Sequence, residues 1–478
     1  MNESLDAWLE GKYVGRFSES DDRRVRFEYA PDAPQTPISL SLPRDRPHSR
    51  MAAKNFLENL LPDQAATRAR MAKVYDAAST STFDLLTKSG GDIAGGLVLV
   101  LAGTEPAKGP GYLAGALDSD IADRIAAIKR DPDAWLPADA LARFSLGGTQ
   151  GKFALARVDG EWFWPNAAVP STHILKPANP TNRKLEQAET AAMQLVNLVG
   201  LSGLTKLTAP AAAVLRIEDQ STYIVERFDR LMSTSAQHPF ATRLHAEDFA
   251  QVSNTSPDDK YGLTARQVLE ILAPEDTDNR LAHQFVSQLA YNTMLGNSDA
   301  HAKNYSILLR PDSIEMSPMY DVVPIGIYPY DQKLAMRIGG ADRPQAVGPH
   351  HWRKLATTAK LDPDEVLAIV GGIADGIRAN VETAWTELDP DQQSVLREQL
   401  LRNTDRFTSL NETKRVQFGA QTSDPDSVLT APRTLPSAES NQAKPRDLEE
   451  RYRRFPELRP NVPITEPFQV EPLSDRER

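Results

Sequence analysis

Apolar positions with a period of two dominate the first half of the chain, and helical spacing dominates the second half. Alternation over Val25–Tyr29, Ile38–Leu42 and Tyr305–Leu309 predicts strands, and the unbroken apolar run Leu97–Leu101 predicts a buried strand. Apolar residues spaced three and four positions apart predict helices. The predicted helices are Ala52–Leu61, Ile121–Ile128, Leu185–Val199, Glu247–Gln251, Thr264–Leu272, Leu281–Leu295, Asp364–Ile377 and Val381–Leu388.

The middle of the chain adds further strands before the helical half begins. Asp159-Gly160 is a dipeptide that favours a two-residue hairpin turn, and alternating segments flank it. A strand-rich region followed by a helical region predicts a bilobal α+β protein. The predicted strands of this middle region are Phe153–Val158, Glu161–Trp164, Thr172–Lys176, Ala213–Ile217 and Thr222–Arg227.

Composition narrows the function classes. The 478 residues are 40% hydrophobic and 25% charged with a net charge of −11, which fits a globular protein and argues against one that coats nucleic acid or anionic membrane. The absence of cysteine excludes disulfides, thiolate zinc sites and cysteine nucleophiles. The acidic N-terminal sequence does not resemble a signal peptide, and the longest apolar run, Ile93–Gly103, is too short to span a membrane. We therefore expect a cytoplasmic protein without a membrane partner.

The most specific motif lies between a predicted helix and a predicted strand. Asp299 and Asn304 stand five positions apart in the segment 297–304. Protein kinases use this spacing in the catalytic loop, where Asp accepts the proton of the substrate hydroxyl and Asn binds a metal ion. Taken alone, the spacing also fits a capped helix end followed by a surface loop. A later carboxylate, Asp321, could return to the same site as a second metal ligand.

Two upstream features match the other parts of a phosphoryl-transfer site. The glycine-rich segment 145–152 precedes a predicted strand, and its glycines would let backbone amides approach phosphate oxygens, although it is not a Walker motif. Lys176 ends an apolar strand, and Glu189 on the following helix could pair with it and hold it against the phosphates. Glycine loop, strand lysine, helix glutamate, Asp-x-x-x-x-Asn and a late Asp stand in the order found in kinases.

The chain resembles the HipA-type serine/threonine kinases, which are toxins of bacterial toxin–antitoxin pairs. The resemblance runs from about residue 13 to 410. In the first part it is carried by the segments 37–43, 59–63 and 83–86, and in the second by 145–152, 172–176, 225–230, 247–249 and 301–304. The family implies an α+β, bilobal protein-kinase-like fold of the phosphatidylinositol 3/4-kinase type, with a strand-rich N-lobe, an extra N-terminal α/β subdomain and an all-helical C-lobe.

The resemblance also implies roles for individual residues. Asp299 would be the catalytic base, Asn304 and Asp321 would bind Mg²⁺, and Glu189 would orient Lys176. Ser145 matches the serine that such kinases autophosphorylate, which would inactivate the enzyme by placing negative charge beside the ATP phosphates. The implied ATP-binding residues are Gly147, Gly148, Thr149, Gln150, Gly151, Lys152, Lys176, Glu226, Arg227, Phe228, His301, Ala302, Lys303, Asn304, Tyr320 and Asp321.

The same resemblance predicts how the chain is divided. The expected parts are an N-terminal subdomain at 1–105, a connector at 106–142, the kinase N-lobe with phosphate loop and hinge at 143–230, and the C-lobe at 231–412. The remaining 413–478 are rich in proline and charge without an apolar period, which predicts a disordered tail.

The implied function is a growth-arresting kinase that uses ATP and Mg²⁺. Its implied partners are a HipB-like helix-turn-helix antitoxin dimer, operator DNA contacted mainly through that antitoxin, and a protein substrate, in this family often an aminoacyl-tRNA synthetase. One alternative is a catalytically silent corepressor that strengthens antitoxin binding to the operator. Another is a lipid kinase, although the acidic charge balance makes an anionic lipid substrate less attractive.

Overall fold

An antiparallel four-stranded sheet with the order β3-β2-β1-β4 forms the N-terminal subdomain. The structure, a computed structural model, describes residues 4–106, 114–132, 134, 144–145, 147, 150–178, 182, 184–201, 206–232, 240–385 and 388–407. Val25 and Phe27 are buried while Arg26 and Glu28 are exposed, so the alternation places one face of the sheet on the core. The elements are β1 (Ser4–Leu9), β2 (Lys12–Glu19), β3 (Val25–Tyr29), α1 (Ala52–Glu58), α2 (Ala65–Tyr75), α3 (Thr82–Ser89) and β4 (Leu97–Leu101).

A second sheet, with the order β5-β7-β6-β8-β10-β9, forms the predicted strand-rich N-lobe. At the β6–β7 turn Asp159 and Gly160 both have positive φ, 51° and 87°, as the predicted two-residue hairpin requires. The central strand β8 lies between β6 and β10 and ends at Lys176. The elements are β5 (Ala114–Gly115), α4 (Asp118–Arg130), β6 (Phe153–Val158), β7 (Glu161–Trp164), β8 (His173–Lys176), α5 (Leu185–Leu201), β9 (Ala212–Ile217) and β10 (Gln220–Glu226).

The C-terminal lobe is predominantly helical. It also contains the small sheet β13-β14-β15 and the pair β11-β12, so the expectation of an all-helical C-lobe was wrong in this detail. The described residues include no helix with the length and apolar character that a bilayer span needs. The elements are β11 (Arg230–Leu231), β12 (Thr242–Arg243), β13 (Ala246–Asp248), α6 (Phe249–Val252), α7 (Ala265–Leu272), α8 (Arg280–Leu295), β14 (Ser306–Leu309), β15 (Ile314–Met316), α9 (Pro349–Thr358), α10 (Pro363–Asn380) and α11 (Pro390–Thr404).

Three predicted elements differ from the structure. Ile38–Leu42 forms turns rather than a strand. The predicted helix Glu247–Gln251 begins instead as strand β13, and the helix starts only after Asp248, whose carboxylate caps α6 by accepting from the Gln251 backbone N–H. Residues 381–385 are turns that follow α10 rather than a further helix. The predicted disordered tail lies outside the described residues.

The hydrophobic core consists mainly of two large clusters, and one of them spans both the N-terminal subdomain and the second sheet. One cluster combines the N-terminal subdomain with strands of the second sheet and includes Phe56, Phe153 and Leu175. Helix α5 instead packs into the cluster of the C-terminal lobe, through residues such as Leu195. Ile174 of β8 packs against both clusters, so burial of apolar surface holds β8 between them. Lys176, at the end of β8, there meets Glu189 of α5.

A buried ionic cluster, here called the hinge cluster, ties the N-terminal subdomain to the end of β10. It consists of Asp92, Arg227, Asp229 and Arg230. Arg230 Nη2 lies 2.9 Å from Asp92 Oδ1, and both side chains are completely buried. Arg227 donates to both oxygens of Asp229 at 2.9 and 2.7 Å. Burial alone would raise the pKa of Asp229, but Arg227 and Arg230 outweigh it and hold that pKa well below its usual range.

Candidate active site

Lys176 lies at the centre of the site, between two carboxylates. Its Nζ is 2.7 Å from Glu189 Oε1 and 2.5 Å from Asp321 Oδ1. The side chain of Lys176 is 8% exposed and that of Glu189 1%, so water screens this pair weakly. Burial alone would lower the pKa of Lys176, but Asp321 and Glu189 raise it above its ordinary value. The pairing expected between strand lysine and helix glutamate is therefore present, and Asp321 joins it.

Asp321 has an unusual backbone conformation. Its φ is +55°, in the left-handed region that residues other than glycine seldom enter. Burial opposes ionisation of this side chain, yet Lys176 and Lys152 hold the pKa of Asp321 far below its usual range. The carboxylate is therefore charged at neutral pH. Strain of this kind occurs most often where function fixes a side chain.

The predicted catalytic loop follows directly from the end of α8. Gly296 ends the helix with φ +76°, which lets the chain turn sharply into the loop. Asn297 Nδ2 then donates to Asn292 Oδ1 at 3.0 Å and to the Asp321 carbonyl at 3.3 Å. Asn304 Nδ2 donates to the Asp299 carbonyl at 3.0 Å. These bonds close the loop on itself and attach it to the segment that carries Asp321.

Asp299 presents its carboxylate at the open side of this loop. The side chain is 52% exposed, and its Oδ1 accepts from the Tyr261 hydroxyl at 2.5 Å. His301 Nε2 lies 3.9 Å from the same oxygen. Burial lowers the pKa of His301 to about 4, so this imidazole is neutral at pH 7. A carboxylate beside a neutral imidazole can accept a proton from a substrate hydroxyl.

The glycine-rich segment lies against the catalytic loop. A Cβ on Gly147 would lie 3.2 Å from Lys303 Nζ, and one on Gly151 would clash with the Pro132 carbonyl at 2.5 Å, so only glycine fits at 151 without a shift. Burial, and after it the nearby charge of Lys176, lower the pKa of Lys152 to about 8. Gln150 is half-buried, while Gly148 and Thr149 lie outside the described residues. The segment thus places the ammonium group of Lys152 and the backbone around Gly151 near Lys176.

Lys303 is held by a carboxylate from the N-terminal subdomain. Its Nζ lies 2.8 Å from Asp63 Oδ1, and Lys260 Nζ lies 2.9 Å from Asp63 Oδ2. Burial alone would raise the pKa of Asp63, but the two lysines lower it. Asp63 therefore fixes two cations at the edge of the site.

The predicted hinge begins at Glu226, the last residue of β10, and continues into the segment that follows. The backbone N–H of Glu226 donates to Ala211 and that of Arg227 to Thr172, at 3.0 and 2.8 Å. The Arg227 side chain turns into the hinge cluster, whereas the Phe228 ring stacks on Tyr320 with centroids 5.0 Å apart. Tyr320 OH donates to the Lys303 carbonyl at 2.8 Å, and Ala302 beside it is fully buried. Hinge and catalytic loop are thus connected through Tyr320.

Ser145 does not reach the reacting centre in this conformation. Its side chain is completely buried, and its hydroxyl donates to the Leu60 carbonyl at 2.7 Å. Its backbone N–H donates to the Asp92 carbonyl at 3.0 Å. A phosphate could not be accommodated beside that carbonyl, so phosphorylation of Ser145 requires the segment to leave this position.

The residues present fit a magnesium ion together with a nucleotide. The Asn304 amide nitrogen is engaged with the Asp299 carbonyl, which leaves Asn304 Oδ1 to accept a cation, and Asp321 Oδ2 has no hydrogen-bond partner among the described residues. Mg²⁺ prefers such oxygens and takes its other ligands from phosphates and water. Within the described ranges, no group of three His, Asp or Glu residues could bind a metal without a nucleotide.

Three residues of the site were given no role by the sequence: Tyr261, Lys260 and Asp63. Asp63 belongs to a segment that resembles the family, but its spacing does not reveal that it lies beside residues almost 200 and 240 positions away. Tyr261 follows a turn between helices, and nothing in the local pattern indicates its bond to Asp299.

Comparisons with known proteins show what the chain is similar to. Residues 5–100 match the model described as HipA N-terminal domain, and residues 144–384 match the HipA-like C-terminal domain. A putative kinase of Sinorhizobium fredii, Y4mE, is 31% identical over 70% of this chain and 80% of its own length. The serine/threonine-protein kinase toxin HipA of Shewanella oneidensis is 26% identical over 78% of this chain and 87% of its own length.

A solved structure shares the fold. It is the S. oneidensis HipA–HipB–operator DNA complex, with 23% identity, a TM-score of 0.70, and coverage of 84% of this chain and 96% of that chain. The bilobal fold expected from the sequence is therefore confirmed.

The curated relatives of the chain show its class: the chain is a kinase. Since one family model covers half of its length and a curated relative exceeds 30% identity, the chain belongs to the HipA family.

Proposed function

We propose that the chain is an ATP- and Mg²⁺-dependent protein serine/threonine kinase that transfers the γ-phosphoryl group of ATP to a hydroxyl of a protein. One observation carries the proposal: Lys176 and Asp321 are in contact, and Asn297 attaches the Asp321 backbone to the loop that presents Asp299. Phosphoryl transfer depends on positioned charges rather than on covalent chemistry by the protein. This arrangement supplies those charges in one cleft.

Each residue has a distinct task in the proposed reaction. Lys176 and Lys152 would neutralise phosphate oxygens, and Glu189 would keep Lys176 in place when Asp321 turns to the metal. Asn304 and Asp321 would hold Mg²⁺, which offsets the charge that develops on the phosphates. The backbone of 226–228 would contact the adenine.

Asp299 would act as the base. The substrate oxygen forms a bond to the γ-phosphorus while the bond from that phosphorus to the β–γ bridging oxygen breaks, and the hydroxyl proton passes to the Asp299 carboxylate. Its exposed carboxylate faces the side from which a protein substrate can approach. ADP then leaves with the bridging oxygen.

The biological setting is proposed from the relatives. The S. oneidensis protein is a toxin, and its structure was solved with HipB and operator DNA. We infer that this chain is likewise the toxin of a toxin–antitoxin pair in the cytoplasm, inhibited by a HipB-like antitoxin dimer that makes most of the DNA contacts. Its protein substrate, of which an aminoacyl-tRNA synthetase is the candidate implied by the family, would stop growth when phosphorylated.

Ser145 would be the site of self-inactivation. Phosphorylation adds nearly two negative charges next to a loop that must bind ATP phosphates. The buried position of the Ser145 hydroxyl supports a large rearrangement, because a phosphate cannot remain beside the Leu60 carbonyl. The segment would be expelled, and the nucleotide site would lose its phosphate loop.

The decisive experiment compares Asp299→Asn with Asp312→Asn, a matched change at an exposed turn outside the site. We expect Asp299→Asn to bind ATP but to label itself about 10²–10⁴-fold more slowly, at a measurable residual rate, and no longer to arrest growth, while Asp312→Asn keeps both activities. Unchanged phosphorylation in Asp299→Asn would exclude this residue as the base. If the wild-type protein neither labels itself nor arrests cells that lack the antitoxin, it is a silent corepressor instead.

A further inference from the structure

Tyr261 forms a side-chain hydrogen bond with the Asp299 carboxylate. Its hydroxyl donates to Asp299 Oδ1 at 2.5 Å, although the Tyr261 side chain itself is half exposed. The other carboxylate oxygen, Oδ2, has no hydrogen-bond partner among the described residues. One oxygen is therefore held and the other is left open toward solvent.

The tyrosine ring is fixed in place by the same elements that build the site. It stands edge-on to the His301 ring, with centroids 5.0 Å apart and an interplanar angle of 86°. The preceding residue, Lys260, is anchored by its bond to Asp63, and its carbonyl accepts from the Ala302 backbone N–H at 3.1 Å. Backbone and ring of this segment are thus both attached to the catalytic loop.

The Asp299 carboxylate would otherwise be poorly oriented. Its side chain is 52% exposed, and the adjacent ring nitrogen His301 Nε2 lies 3.9 Å from Oδ1, beyond hydrogen-bond distance. A carboxyl group without a strong partner rotates about its last torsion angle at little cost. A base in a kinase must instead keep one oxygen in line with the incoming hydroxyl.

Building on the proposed function, we propose that Tyr261 is a positioning residue for phosphoryl transfer: it fixes Asp299 through Oδ1, so that Oδ2 accepts the proton of the substrate hydroxyl. Tyr261 itself touches neither nucleotide nor reacting atoms in this role. It acts on the protein-acceptor side of the reaction, and its removal should affect turnover rather than nucleotide binding.

The test is Tyr261→Phe, which removes one hydroxyl and keeps the ring. Tyr330→Phe is the matched control, because Tyr330 is also about half exposed and its hydroxyl also donates to a side chain, Asn182 Oδ1, at 2.5 Å. The readouts are the rate of self-phosphorylation at saturating Mg·ATP, the KM for ATP, and the melting temperature. Each variant is made in the wild-type and in the Asp299→Asn background.

We expect Tyr261→Phe to lower the rate roughly tenfold, as loss of one hydrogen bond to a charged group predicts, with unchanged KM and melting temperature. Tyr330→Phe should be neutral. In the Asp299→Asn background, Tyr261→Phe should have no further effect, because residues that act through one another are not additive.

Several results would overturn the proposal. A rate within twofold of wild type shows that Asp299 needs no positioning. A faster variant shows that Tyr261 competes with the substrate hydroxyl instead. An equal loss in the Asp299→Asn background shows a role independent of the carboxylate. These outcomes differ from failure of the proposed function, in which Asp299→Asn alone retains wild-type activity.

Discussion

Glu189→Gln is the change that tests the role of the Lys176 pair most directly. The substitution keeps an oxygen 2.7 Å from Lys176 Nζ but removes its charge. In the proposed reaction, Asp321 would turn toward Mg²⁺ while Glu189 keeps the Lys176 ammonium in place. In the variant, Asp321 is the remaining carboxylate on Lys176, so metal binding and lysine orientation compete for the same group.

The expected loss follows from the charge that the substitution removes. The amide oxygen of the variant still accepts from the charged ammonium, so the attraction between two opposite charges is lost but the hydrogen bond is kept. The loss should therefore be about 1–1.5 kcal/mol, a fraction of the roughly 3–5 kcal/mol that breaking a buried pair costs. Because both side chains are buried, little of this is lost to solvent screening. We expect Mg·ATP affinity to fall roughly tenfold.

Calorimetric titration with Mg·ATP measures this directly, and urea unfolding checks that the fold is intact. Glu186→Gln is the matched control, since Glu186 is a buried glutamate one turn earlier on α5 whose Oε1 accepts from Ser221 instead of a lysine. If Glu189→Gln binds Mg·ATP within twofold of wild type, or if Glu186→Gln loses as much, the pair does not orient Lys176 for phosphate binding.

Three further outcomes can be measured. Asp92→Asn leaves Asp229 as the one remaining carboxylate of the hinge cluster beside the two buried guanidinium groups of Arg227 and Arg230, and should reduce the free energy of unfolding in urea by about 3–5 kcal/mol. Asp22→Asn, in an exposed pair, should change it little, and equal effects would contradict the assigned role of burial. Burial raises the pKa of Glu247 to about 8, so the folded protein should lose stability as pH rises from about 4.5 through 8. Glu247→Gln should remove this loss when thermal unfolding is measured across that range. Parallel pH curves for the two proteins would argue against a buried, protonated Glu247. Chelation of Mg²⁺ should abolish self-labelling reversibly, and labelling that persists in excess chelator would exclude a metal-dependent transfer.

Local patterns predicted the elements whose partners are close in sequence. The hairpin strands β6 and β7 have the predicted bounds, because alternation and the Asp159-Gly160 turn specify both pairing and register. Ile38–Leu42 alternates for a different reason: both end residues are buried, but the Tyr29 hydroxyl, rather than a strand, binds the Ile38 N–H and the Leu42 carbonyl. The alternation of apolar residues does not reveal whether a side-chain hydroxyl or a neighbouring strand forms the hydrogen bonds of the backbone.

The same distinction applies to the site. Lys176, Glu189, Asp299 and Asn304 stand in motifs whose order and spacing phosphoryl transfer requires, so the sequence alone predicts them as candidate site residues. Tyr261 joins the site through a contact 38 positions along the chain, which no periodicity encodes. The strand β13 was missed because its pairing with β14 is made across about 60 residues.

The continuous core also decides what can be separated from this protein. Phe153, Leu155 and Leu175 are kinase strand residues, yet they are buried in the cluster that contains Phe56 and Leu57 of the first subdomain. An excised catalytic fragment beginning at residue 144 would expose these side chains to water, at about 25 cal/mol for every Å² of apolar surface uncovered. The catalytic region is therefore not expected to be stable as a separate fragment. The first hundred residues of the chain cover its apolar strands, so a shortened or fused version has to include them.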